Sequence, residues 1–204
     1  MKPRSSLPST SAPARERLIA AAKLVFARDG LHGATTRTIA QEAGVNEVTL
    51  FRIFQNKERL IAEVMESIVL QNQLAGSEGE EWSGDLKQNL RRYAEIVYAV
   101  LERDEALFRT MIGEARRYPD HAKKVVMDAV KPERARFIAR LEAARNAGQV
   151  RGGVQLPVVA DAFTGVLLAG MLRHTAGCVE DYSAGEFVET CVEIFAAGLA
   201  APTA

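Results

Sequence analysis

The chain has 204 residues, 26 Lys or Arg balanced by 26 Asp or Glu, and a hydrophobic share of 48%. That size and mixture exclude a fibrous or wholly disordered chain. They favour one domain, or a small domain fused to a larger one, with enough residues to bury a core. Two cysteines, Cys178 and Cys191, are too few for a disulfide framework or a zinc site and fit a reduced, cytoplasmic compartment.

No stretch alternates with the period of two of a half-buried strand. Helical spacing recurs throughout, so the chain is predicted to be all-α. Residues 1–13 read as a disordered arm. The start of the chain is rich in Pro and Ser and lacks the apolar segment of a signal peptide. A first helix is predicted over 13–29, with Leu18, Ala21, Ala22, Val25 and Phe26 on one face and Gly30 as its stop. A short helix starts at Thr35 or Thr36, whose hydroxyl can cap free backbone N–H groups, and ends at Ala43. A third runs from Asn46, a good N-cap, to Phe54. Asn56 then caps a fourth over 57–74.

Residues 75–84, with three Gly and two Ser, read as the clearest linker in the chain. Helices are predicted next over 85–103, 104–118 and 121–148, with Pro132 kinking the last or splitting its start. Gly148, Gly152, Gly153 and Pro157 mark a turn. Two further helices cover 158–176 and 183–199. The most apolar stretch, 158–172, is interrupted by Asp161 and is expected to be too short to span a bilayer.

Charge is unevenly distributed. The first 60 residues hold ten Lys or Arg against five acids, so the remaining chain carries an equal negative surplus. A basic first third beside an acidic remainder fits a DNA-binding module joined to a different second module. The segment 36–54 explains how. Ile39, Ala40 and Ala43 form a small inner face. Gly44 permits the positive φ of a tight turn, Val45 plugs the gap beneath it, and Leu50 and Phe54 anchor the next helix. This is the pattern of a helix-turn-helix, whose second helix presents its N-terminal half to the major groove. Asn46, Glu47, Val48 and Thr49 occupy the leading turn, and Arg52 faces outward one turn later. Asn suits adenine, Thr a hydrogen bond or a thymine methyl, and Arg guanine. Thr36, Arg37 and Lys57 sit at helix N-termini, where phosphate is favoured.

The segment resembles the N-terminal domain of the TetR family of transcriptional regulators over residues 14–62. The resemblance rests on Ile39, Ala40, Ala43, Gly44, Val45, Thr49, Leu50, Phe51, Phe54, Lys57, Glu58 and Leu60, with Phe26, Gly30 and Thr36 upstream. Phe51 stands where the family usually has Tyr, so a hydroxyl that often reaches phosphate is missing. Ile53 stands where a His or another polar residue is frequent. Both departures shift polar contacts onto Thr49, Arg52 and Lys57.

The resemblance implies a three-helix DNA-binding domain and, over 63–204, a helical ligand-binding and dimerisation domain. It implies a homodimeric regulator, taken here as a repressor, that binds a near-palindromic operator and is released by a small apolar or amphipathic effector. An activator of the same family is the alternative. The last two helices fit a homodimer interface: Ala160, Ala162, Gly165, Ala169 and Gly170 permit close packing, and Phe187, Cys191, Ile194 and Phe195 form a stripe widened by Val188 and Val192. Tyr93, Phe108, Met111 and Phe163 are the candidate ligand-pocket residues, with Arg109, Glu114, Arg173 and His174 as candidate polar contacts, although residues of the first kind more often pack a core and those of the second more often lie at the surface or in salt bridges. No catalytic motif, P-loop or dinucleotide fingerprint appears, and no cofactor is expected. His174 and Cys178, four apart, supply two ligands where zinc normally needs three or four, so no metal is expected. A helical-bundle enzyme and a partner-binding bundle are the remaining alternatives. The second predicts no salt-sensitive DNA affinity. No membrane partner is expected.

Overall fold

A computed structural model describes residues 11–75, 82, 85–117 and 119–201. Most of the predicted arm and most of the predicted linker lie outside these residues. Among the described residues the chain forms nine helices, and its only extended pairing is an isolated antiparallel bridge. These residues form two compact units.

The first unit comprises residues 1–69 and 106–130. Its α1 spans Ala14–Gly33 and buries Leu18, Ala21, Ala22, Val25 and Phe26 at helical spacing. The regular rod ends where predicted, at Gly30, whose φ of 76° breaks helical geometry; one more turn follows before Ala34. α2 (Thr36–Glu42) begins at Thr35, the hydroxyl of which accepts the Thr38 N–H at 3.0 Å. α3 (Glu47–Phe54) begins at Asn46, whose Oδ1 accepts the Val48 N–H at 2.9 Å. α4 (Lys57–Ala75) begins at Asn56, whose Oδ1 accepts the Arg59 N–H at 2.8 Å. Each cap satisfies a backbone donor that a helix start leaves without a partner. α1 packs on both α2 and α3, and fully buried Phe26, Phe54, Leu18, Ile39 and Leu50 fill the space between them. Burying each such side chain contributes about 1.5–3 kcal/mol.

The second unit comprises residues 70–105 and 131–204. Its core is a triangle of α5 (Leu86–Arg103), α8 (Leu156–Thr175) and α9 (Ala184–Leu199), each packed on the other two. α5 is capped by Asp85, and α9 by a reciprocal capping box between Ser183 and Glu186. α6 (Glu105–Arg117) and α7 (Pro119–Asn146) contribute to both units. Of the two outcomes expected at Pro132, a kink or a split, the split does not occur: the helix runs through it as one element, with Arg136 and Glu133 paired at 2.8 Å on the turn beyond. A helix of 28 residues can absorb the lost hydrogen bond.

α8 corrects a second expectation. Pro157, read as part of the turn before the helix, sits instead in its first turn, where a missing N–H costs nothing, so the helix starts at Leu156 rather than at 158 and has 20 residues. By length and composition alone it could cross a membrane. Yet one face, including Phe163, Leu167, Gly170 and Met171, is buried against the unit, and Asp161 is ion-paired with Arg134 at 2.6 Å.

The small residues of α8 divide between two faces. Ala160 and Gly170 point inward, and a Cβ on Gly170 would lie 2.0 Å from the Phe187 ring. Ala162, Gly165 and Ala169 are exposed, together with Val158 and Val166. On α9, Cys191 and Val192 are buried, whereas Ile194, Ala197 and Gly198 are exposed, Ile194 at 64%. The end of α9 is latched to the turn before α8: Arg151 N–H donates to the Leu199 carbonyl at 2.9 Å and Ala201 N–H to that of Gln149 at 3.1 Å.

Candidate nucleic-acid interface

The turn between α2 and α3 is a Schellman motif. Gly44 has φ 64°, its N–H donates to the Gln41 carbonyl at 3.1 Å, and the Val45 N–H reaches back to Ala40 at 3.0 Å. A side chain at Gly44 would strain that backbone. Across the turn, Thr36 Oγ1 donates to Glu47 Oε1 at 2.6 Å, tying the first residue of α2 to the first of α3. Arg17 of α1 extends to the same turn, with Nη1 3.5 Å from the Gly44 carbonyl. Behind α3, Leu50 and Phe54 are fully buried, and the Arg15 guanidinium lies 5.9 Å from the centroid of the Phe54 ring.

In front, α3 is exposed. Val48 is 71% and Phe51 45% exposed, Arg52 is exposed, and Thr49 and Ile53 are half-buried. Residues three and four apart share a helix face, so Val48, Phe51 and Arg52 form one surface. Arg37 in the first turn of α2 is also exposed, and neither it nor Arg52 has an ion-pair partner among the described residues. Lys57 lies in the first turn of α4. The nine sequence-predicted positions (Thr36, Arg37, Asn46, Glu47, Val48, Thr49, Phe51, Arg52 and Lys57) therefore all lie on α2, α3, or the starts of α3 and α4 within one unit. Among these, Thr36 and Glu47 are committed to each other, and Asn46 Oδ1 to its cap. Bidentate pairing with adenine needs that oxygen as well as the amide nitrogen. Sequence reasoning did not find Arg17 or the Thr36–Glu47 link, because the pattern that places side chains on faces is silent on which long side chains reach across a turn.

The pocket candidates fare less uniformly. In the second unit Tyr93 and Phe163 are buried with ring centroids 6.3 Å apart. Phe137 stacks on Tyr93 at 3.9 Å, while Trp82 and Phe195 close the cluster edge-on. Burial pushes the Tyr93 hydroxyl well above its ordinary pKa and that of Tyr98 up to about 12, so both stay neutral. Phe108 is half-buried and Met111 buried on the part of α6 assigned to the first unit, so the four residues do not gather within one unit. His174 is engaged in the second unit: Nδ1 lies 2.9 Å from the Gly170 carbonyl and 3.3 Å from Tyr98 Oη, and Nε2 3.3 Å from the Tyr182 carbonyl. Arg173 is exposed and Arg109 half-buried; the Glu114 side chain lies outside the described set. Among the described residues no group of three or more metal-ligating side chains assembles. An open groove of about 640 Å³ in this unit, lined by Asp85, Lys87, Gln149, Glu193 and neighbouring alanines, involves neither Tyr93 nor Phe163.

An all-helical chain that buries one side of a helix-turn-helix and leaves the other bare, next to exposed cations, is a DNA-binding transcriptional regulator in its class. Comparison with known proteins specifies the family. The model for bacterial regulatory proteins of the tetR family matches residues 18–64, and that for the tetracyclin repressor-like C-terminal domain matches residues 81–190. The chain belongs to the TetR family. Members of this family are transcriptional regulators with DNA-binding and ligand-binding domains, and they are not enzymes.

Among its relatives is the HTH-type transcriptional regulator YvkB of Bacillus subtilis, 30% identical over 130 residues, which covers 58% of this chain and 67% of that one. The nucleoid occlusion factor SlmA of Vibrio vulnificus is 25% identical over 174 residues, 84% of each chain. Among solved structures, the regulator FadR of Bacillus subtilis in complex with stearoyl-CoA shares the fold, with a TM-score of 0.76 at 18% identity over 90% of this chain and 98% of that one.

Proposed function

We propose that this regulator is a cytoplasmic repressor: a homodimer that grips a near-palindromic operator and lets go when a small apolar or amphipathic effector occupies its C-terminal domain. Residues 14–62 act as the DNA-binding domain and 63–204 as the regulatory and dimerisation domain. Thr36, Arg37 and Lys57 meet phosphates, while Asn46, Glu47, Val48, Thr49, Phe51 and Arg52 enter the major groove. The observation that carries the reading is a pairing of two outward faces. One is the bare front of α3, and the other is the exposed apolar strip of Val158, Ala162, Gly165, Val166 and Ala169 on α8 with Ile194 on α9. A contiguous apolar strip of that kind is costly in water and marks a surface for a partner. A second copy meeting it brings two recognition helices to successive major grooves about 34–36 Å apart.

The aromatic cluster around Tyr93 and Phe163 supports an apolar or amphipathic effector, as does the likeness of the fold to a FadR that holds stearoyl-CoA. An effector that favours a different spacing of the recognition helices weakens DNA binding, and DNA weakens the effector by the same factor. The test is selection of bound sequences from random duplexes, followed by titration across salt. Two inverted half-sites with centres one helical turn or a multiple apart, and a log affinity falling steeply with log salt, are expected. Lys57→Ala should make the salt slope shallower by about one. A flat salt response overturns the reading.

A further inference from the structure

Deepening the DNA-binding reading proposed above, we infer that α3 reads its half-site chiefly through methyl groups: Val48 and Phe51 form an apolar patch that takes the C5-methyls of thymines. The major groove offers hydrogen-bond donors and acceptors at every base pair, but the thymine methyl is the one apolar group among the four standard bases. The surface that α3 presents is correspondingly apolar. Among the described residues Val48 is the most exposed large hydrophobic, at 71%, and Phe51 follows one turn later at 45%. The same helix buries Leu50 and Phe54 completely on its other side.

Two polar residues of the leading turn, Asn46 and Glu47, already have an oxygen engaged within the protein. Thr36 and Glu47 bond to each other, and the Asn46 carbonyl oxygen caps the Val48 N–H. Arg52, exposed and without an ion-pair partner among the described residues, is left as the strong polar reader on this face. Cβ atoms three or four apart on a helix lie about 5–6 Å from each other, so the two apolar side chains meet methyls one or two base steps apart, at about 3.4 Å per step. Arg52 then faces the guanine beside them.

Burying one methyl is worth about a four-fold change in affinity. The experiment uses the duplex recovered by selection, with each thymine replaced in turn by deoxyuridine, which removes the methyl and keeps every hydrogen-bonding group. Expected is about a four-fold loss at each of two positions per half-site, and about fifteen-fold when one such position is replaced in both half-sites. The T-to-U ratio should fall to about one at a single position in Val48→Ala and at the other in Phe51→Ala, with both variants keeping wild-type circular dichroism. Restoring the methyl as a 5-methylcytosine–guanine pair should recover affinity relative to the cytosine–guanine pair at that position. Sequence-specific binding with a T-to-U ratio of one throughout overturns the inference and leaves the regulator reading standing. Salt-sensitive binding without sequence preference also overturns it. Absence of salt-sensitive DNA binding overturns both.

Discussion

Thr36 Oγ1 donates a 2.6 Å hydrogen bond to Glu47 Oε1, joining the first residues of the two helices that make up the reading head. The bond is part-buried and its acceptor is a carboxylate, so it is stronger than a bond between neutral groups. Thr36→Val keeps the shape and removes the donor. It should lower stability by about 1 kcal/mol, read as a shift in the urea midpoint. Operator affinity should fall further than that loss explains, because the angle between α2 and α3 is no longer fixed.

Gln55 ends α3 with φ 68°, the one positive φ outside glycine among the described residues. With ψ −45° and the Asn56 N–H bonded to the Phe54 carbonyl at 2.8 Å, it sits at the centre of a γ-turn, where a side chain costs on the order of 1–3 kcal/mol. Gln55→Gly relieves that strain and gives back part of the gain through a more flexible unfolded chain. A net stabilisation of about 0.5 kcal/mol is expected in the urea midpoint, with an unchanged m-value.

Gly170 has no room for a side chain, since a Cβ would stand 2.0 Å from the Phe187 ring. Gly170→Ala should destabilise by about 2 kcal/mol through overpacking. Adding Phe187→Leu should recover part of the loss, so the two changes will not sum in a double-mutant cycle on thermal unfolding.

Acid should loosen the second unit. Arg134 holds Asp161 below its ordinary 3.8, and Arg91 with Lys87 holds Glu189 below 4.5. A carboxylate depressed in the folded state stabilises fully above its unfolded value, and the contribution drains away as pH falls through the lower folded value. Thermal midpoints should therefore hold from pH 7 to about pH 5 and fall progressively as pH drops below about 4.5. Arg134→Gln should flatten that fall.

Ile194, 64% exposed on α9, is the sharpest probe of association. Ile194→Glu places a charge in the proposed dimer face. Sedimentation velocity should show a shift to monomer, with operator affinity reduced at least about ten-fold and helicity unchanged. A dimer of unaltered stability would place the interface elsewhere.

Much of this architecture was legible in the residues. Thr35, Asn46, Asn56, Asp85 and Ser183 announce helix starts because a short polar side chain there has one obvious use, and Gly44 announces its turn because no other residue adopts φ 64° cheaply. The candidate interface was legible for the same reason: a helix-turn-helix has a fixed inner face, so the outer face follows. What periodicity could not reveal is the sorting of α8. Ala160 and Ala162 look alike in sequence, and only packing against α5 and α9 decides that one is buried and the other bare. The effector candidates suffered from the same ambiguity, since a buried aromatic has the same pattern whether it stacks on Phe137 or on a ligand. Asn46 and Thr36 show a third limit: a polar residue in the right place can already be spoken for.

The latch between Val150 and Ala200 has a mechanical consequence. α9 is clamped at one end by the Ser183–Glu186 box and at the other by the hydrogen bonds of Arg151 and Ala201. A rod held at both tips has lost the easiest way a helix yields, which is to unwind from its ends. Stress applied anywhere along it therefore emerges as tilt or translation of the whole rod rather than as local unwinding.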